Sequence, residues 1–196
     1  MEAEPARWSR TERRWLSVKK YRTLERLFVR HGFEDFKWIQ ASDIVVSHWV
    51  RMKCMYGCPT YGKNASCPPN VPPVSECRAF FDEYAAVAVF HFEKRVKNPL
   101  DRKPWAKKIN QALRKLEREV FLSGYRKAFL LPMDSCKLCA ACAGTRELCK
   151  IPKSARPTPE GLAVDVFATV RTCGYPIEVL AEYSEPMNRY AFLLIE

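Results

Sequence analysis

The placement of cysteine constrains this chain more than any other feature. There are nine cysteines, and seven of them fall in two short stretches, Cys54 to Cys67 and Cys136 to Cys149. An odd number at such tight spacing is a poor basis for a disulfide framework; thiols kept reduced as metal ligands are the better reading, and they imply a reducing, cytoplasmic setting. The first thirty residues are charged throughout where a signal peptide would be apolar, and the longest apolar run, Tyr84 to Phe92, is far shorter than the roughly 20 residues of a bilayer crossing. No membrane association is expected. Hydrophobic residues make up 47% of the 196 positions, enough to build a core.

Cys136, Cys139, Cys142 and Cys149 follow C-x2-C-x2-C-x6-C. Structural zinc is usually held by two separate C-x2-C turns whose four sulfurs converge on one ion. Three cysteines in one continuous wrap suit a cubane whose corners are different irons. The run is like that of bacterial ferredoxins, with a longer gap before the last cysteine, so all four thiols are expected to close on one [4Fe-4S] cluster; zinc is the alternative.

The first stretch, Cys54, Cys58 and Cys67, follows C-x3-C-x8-C-P-P and holds only three cysteines. A second [4Fe-4S] cluster there needs a fourth ligand or has an open corner. Cys77 is favoured over Cys173, because the start of a helix predicted from Pro73 stabilises a thiolate and a helix end near Gly174 does not. His48 is a further possibility. Gly57 to Lys63 reads G-x4-G-K, but Asn64 stands where a phosphate-binding loop has Ser or Thr, and Pro68 and Pro69 oppose the helix such a loop needs. Lys63 is expected instead to offset the charge of a cluster, with Arg156 as a second basic residue at the cofactor.

Periodicity places the regular elements. Val18, Tyr21, Leu24, Leu27 and Phe28 mark an amphipathic helix over Arg10 to Arg30 that ends at Gly32. Asp43 to Met52 reads as a strand or extended arm leading into Cys54. A short helix follows over Val74 to Tyr84, then a buried strand over Ala85 to Phe92, a long helix from Asp101 to Ser123, and a strand over Tyr125 to Leu131. On the long helix Ile109, Leu113, Leu116 and Val120 form one stripe, set apart from Lys107, Lys108, Arg114 and Arg118. Strand, helix, strand predicts a crossover between parallel neighbours. Pro159 opens a further helix reaching Gly174, with strands near Ile177 to Leu180 and Tyr190 to Ile195. The expected fold is α+β (or α/β): a mixed sheet with flanking helices and two irregular cysteine-rich loops. Residues 1–35 form a basic N-terminal helix and 36–196 a single metal-binding domain, with its loops at 54–77 and 136–152.

From Trp49 to Pro69 the chain reads W-V-R-M-K-C-x3-C-P-x-Y-G-K-x2-S-C-P-P. With Leu116-Glu117-Arg118, the four-cysteine loop, Ala155-Arg156-Pro157 and Val164-Asp165-Val166, this resembles the predicted metal-binding proteins of domain of unknown function 2284, known from anaerobic bacteria and archaea. The resemblance implies metal binding and no particular reaction.

The formal net charge of +11 favours acidic partners through long-range attraction. The leading expectation is therefore an iron-sulfur protein in electron transfer, or a redox or accessory subunit of a larger anaerobic enzyme, docking an acidic protein such as a ferredoxin. An enzyme with an open iron site is the second reading, with Tyr61, Arg156, Glu160 and Asp165 as polar candidates for its lining. A zinc-bearing nucleic-acid module is the third, although neither zinc-finger spacing nor an aromatic-basic RNA motif is present.

Overall fold

A computed structural model describes residues 21–182 and 184–196. These fall into two compact units that divide after Glu34. The first contributes helix α1 (Arg22–Arg30), which buries Leu24, Leu27 and Phe28 as its three- and four-residue spacing predicts. Gly32 follows it at a φ of 78°, a conformation glycine adopts without a Cβ penalty. The part of the predicted helix before Tyr21 lies outside the described residues.

The second unit contains strands β1 (Phe36–Gln40), β2 (Ala86–Lys94), β3 (Phe129–Leu131) and β4 (Met187–Leu194). Its helices are α2 (His48–Gly57), α3 (Val74–Asp82), α4 (Arg102–Leu122) and α5 (Val166–Thr172). The sheet order is β1-β2-β4-β3 and every pairing is antiparallel, with Trp38 opposite Ala88, Phe90 opposite Ala191 and Leu130 opposite Leu193. The α+β class is the observed one. The parallel neighbours expected across α4 are not: β2 and β3 run the same way, but β4 lies between them and takes the hydrogen bonds of both. A strand some fifty residues further along fills the gap, which no local pattern encodes.

The first five residues of β2 are all buried, which explains their unbroken apolar character. Val87, Val89, Phe192 and Leu194 share one core with Phe81 of α3 and Val170 of α5, and Ala88, Phe90, Ala191 and Leu193 on the opposite face are equally inaccessible. His91, at the partly exposed end of β2, bridges Asp35 at 2.6 Å and Asn188 at 2.7 Å and stacks on Tyr190.

Other departures from the sequence reading matter for the site. Ile44 to Val46 is extended, and Val46 bridges Val164, but the chain turns helical at His48, so the anticipated strand over Asp43 to Met52 is cut short and Cys54 rides on α2. The single helix expected from Pro159 is broken in two. Glu160 to Leu162 form a 3-10 turn, Ala163 takes a φ of 60°, and α5 begins afresh with the Asp165 carboxylate accepting from the Ala168 amide at 2.9 Å. The break follows from the demand of Val45, whose carbonyl accepts the Asp165 amide at 2.7 Å and needs extended chain there. Ile177 to Leu180 is irregular rather than a strand.

Leu116 is fully buried on α4. Leu116→Ala should lower the unfolding free energy by about 2–5 kcal/mol, measured by denaturant titration.

Candidate metal centre

Two long irregular segments, 59–73 and 132–158, carry most of the cysteines. Neither has a helix or sheet ladder to satisfy its backbone, so other groups must hold it. For the second segment those groups come from one edge of α4. Arg102 binds the Asp134 carboxylate through Nε at 3.1 Å and Nη2 at 2.5 Å, and the Asn110 amide donates to the Met133 carbonyl at 2.6 Å, fixing the segment's start. Arg114 Nε donates to the Ser154 carbonyl at 3.2 Å, and Glu117 accepts from Arg156 Nε at 2.8 Å, fixing its end. Asn110 and Glu117 are buried and Arg114 half-buried. The sequence reading placed Arg114 on the solvent face with Lys107; the structure turns it inward, because the loop ends offer carbonyls that only a long cationic donor reaches.

Arg51 of α2 does the same for the first segment. Its Nη2 donates to the Pro72 carbonyl at 3.1 Å and to the Gly161 carbonyl at 3.1 Å, tying the loop's end to the 3-10 turn that bears Glu160. Gly62, at a φ of 71°, lets the chain double back so that its amide reaches the Pro68 carbonyl at 3.1 Å.

The two loops lie against each other. The Ala65 amide of the first donates to Cys142 Sγ of the second at 3.3 Å, and the Asn70 amide spans the Asn64 carbonyl at 3.1 Å and the Gly144 carbonyl at 2.9 Å. Cys67 sits at the junction. Burial, and then the charges of Cys54, Cys58, Cys136 and Cys142 around it, push its thiol up to about 12. Burial also raises Cys54, helped by Cys58 and Glu160 and opposed by Arg51. Cys58 moves the other way, chiefly because the Thr60 hydroxyl lies 3.2 Å from its sulfur, with backbone amides and Lys63 adding to the effect. Cys142 is lowered by the amides of Gly144, Ala65 and Ala143 directed at its sulfur. Arg114 lies beside Cys136, while Cys139 and Cys149 are half-buried elsewhere in the second loop.

The remaining candidates fall elsewhere. Cys77 is part of the hydrophobic core and its thiol donates to the Pro72 carbonyl at 3.5 Å. Cys173 donates to the Val170 carbonyl at 3.1 Å, near Lys37. His48 is exposed at the start of α2. Lys63 Nζ donates to the Pro59 carbonyl at 2.9 Å, close enough to Cys58 to favour its thiolate. Arg156 is spent on Glu117 and the carbonyls of Lys153 and Ala155, with its guanidinium over the Phe129 ring. Asp165 serves as the cap of α5.

A cavity of about 410 Å³ opens in front of the first loop. Cys54, Cys58 and Cys67 line it, facing Glu160, Lys103 and Lys137. Among the described residues no three His, Cys, Asp or Glu side chains form a ready-made pocket for a metal ion. The fit to a metal centre rests on the donor set: soft thiols on irregular loops, with backbone amides pointed at sulfur.

Residues 37–195 match the family model described as predicted metal-binding protein (DUF2284). The chain belongs to that family. No curated protein and no solved structure matches it. Family membership thus supports a metal cofactor without naming the metal, and no helix among the described residues is long and apolar enough to cross a membrane.

The thiol environments differ enough to order their reactivity, since the thiolate is the nucleophile. In metal-free protein near neutral pH, iodoacetamide should label Cys58 and Cys142 before Cys54 and Cys67, with the core thiol of Cys77 protected, as read by peptide mass spectrometry over time. Thr60→Val should slow labelling of Cys58 and leave Cys142 unchanged.

Proposed function

We propose that this family member is an iron-sulfur protein holding two [4Fe-4S] clusters, one on each cysteine loop, and that it passes single electrons to or from a larger anaerobic enzyme. The observation that carries this reading is the contact between the loops at Cys67 and Cys142. It brings thiols of both C-x3-C-x8-C and C-x2-C-x2-C-x6-C runs into one neighbourhood, where each raises the cost of ionising the next. A positively charged iron core removes that cost, because coordinated thiols are held as thiolates.

Three features agree with the proposal. The C-x2-C-x2-C wrap suits a cubane better than a single zinc ion. Amides aimed at sulfur, as at Cys142, stabilise the reduced form of such a centre and tune its potential. The exposed side of α4 carries Lys103, Lys107, Lys108, Lys115 and Arg118, a cationic stripe that suits an acidic redox partner such as a ferredoxin. A reducing cytoplasm is the compartment in which these thiols and clusters persist.

The cavity lined by Cys54, Cys58 and Cys67 favours one alternative, an enzyme whose first cluster meets a small molecule through an open iron. The two readings share their cofactors and part at the question of what reaches the first loop.

Anaerobic purification should yield about eight iron and eight sulfide per chain, with a visible charge-transfer absorption that bleaches on reduction. Stoichiometric zinc in a colourless preparation would overturn the proposal. Cys142→Ser should lower iron content by about half if each loop holds its own cluster.

A further inference from the structure

The first loop brings three thiols and no fourth cysteine to its cavity. Cys77 and Cys173 each spend their S–H on a backbone carbonyl, of Pro72 and Val170, and neither lines the cavity that Cys54, Cys58 and Cys67 share. Cys77 instead packs among Val74, Phe81 and Leu162 in the core. The carboxylates on the cavity wall are Asp134 and Glu160. Asp134 is taken by Arg102 through two hydrogen bonds and has Arg189 Nε at 4.0 Å.

Glu160 is placed differently. The 3-10 turn Glu160–Leu162 is held by the Thr158 hydroxyl accepting from the Gly161 amide at 3.0 Å and by Arg51 on the Gly161 carbonyl at 3.1 Å. The same Arg51 sits one helical turn before Cys54 on α2, so the turn and the first thiol are pinned to one side chain. Glu160 is exposed and lines the cavity; the Thr158 hydroxyl and the Glu160 amide hydrogen-bond to its carboxylate, and no lysine or arginine salt bridge occupies it among the described residues. A Cβ at position 161 would stand 3.3 Å from the Thr158 hydroxyl oxygen, so the tightness of this turn depends on glycine.

We propose that Glu160 is the protein group facing the fourth corner of the first-loop centre, which has thiolates from Cys54, Cys58 and Cys67 on its other three corners. This rests on the iron-sulfur reading above and deepens it. A hard carboxylate oxygen holds iron less firmly than a thiolate does, so the iron at that corner is exchangeable and is reached through the cavity. Lys103 and Lys137 on the same wall give an incoming small anion, such as a carboxylate, its counter-charge.

Oxidation tests the assignment on the anaerobically isolated holoprotein. One equivalent of ferricyanide takes one electron from a [4Fe-4S]2+ core; the resulting [4Fe-4S]3+ core sheds its least firmly held iron as Fe2+ and leaves a [3Fe-4S]+ core, detected by electron paramagnetic resonance, while the released iron is counted with a chelator. The wild-type protein should lose one iron per chain, and added ferrous ion under reducing conditions should restore it. Cys77→Ser and Cys173→Ser should behave as wild type. Glu160→Cys, which offers a thiolate at that corner, should retain its iron under the same oxidation, and Glu160→Gln should lose it faster. Wild-type protein that keeps every iron, with loss appearing only in Cys77→Ser or Cys173→Ser, would overturn the assignment while leaving the two-cluster reading intact. Zinc, or no metal, in the starting protein would instead overturn the iron-sulfur reading itself.

Discussion

Holding two long stretches of chain in place without regular secondary structure is the constraint on which the rest of this molecule depends. Segments of this length that stay ordered must find donors for their carbonyls, and here those donors are side chains, Arg51 from α2 and Asn110 and Arg114 from α4, while Arg102 of α4 holds the Asp134 carboxylate. Each bond is individually modest, about 0.5–1.5 kcal/mol, or about 1.5–3 where a charged group is involved. Their value lies in position. They fasten the end of the first loop and both ends of the second to rigid helices, and the stretches between are held against each other at Ala65, Asn70, Cys142 and Gly144.

The electrostatics of the site follow from that fastening. Pressing the loops together puts Cys67 among four other thiols and under partial burial, so its ionisation is opposed from every side. Cys58 and Cys142 escape the same fate because a hydroxyl and several amides are aimed at their sulfurs. Because burial holds the Cys54 and Cys67 thiols up, ligation of a metal by them must release protons. Lys63 and Arg114 stand at opposite loops, beside Cys58 and Cys136, and supply positive charge where thiolates would accumulate.

Much of the fold was legible in the chain. The apolar run at Ala86 and the stripe of Leu113, Leu116 and Val120 declared β2 and α4, and the prolines and glycines around Cys58 and Cys67 declared an irregular loop. Three things were not legible. β4 slips between β2 and β3, since strand pairing across a hundred residues leaves no periodic trace. Arg114 and Asn110 look like ordinary polar positions on a surface helix and become visible as loop anchors only when the loop ends are in view. Glu160 was legible as a candidate for the lining, but the break that puts it on a separate 3-10 turn was not, because the extended chain at Val164 and Asp165 that ends the turn is set by pairing with residues 45 and 46.

By itself, the sequence determined which cysteines travel together and that most of the chain between them would be irregular, because cysteine spacing and proline content act locally. The tertiary structure alone decided which loop meets which, that Cys77 belongs to the core, and that Cys54, Cys58 and Cys67 line one cavity. Those outcomes depend on packing between residues tens of positions apart, where burial of apolar surface and satisfaction of carbonyls are settled for the whole unit at once.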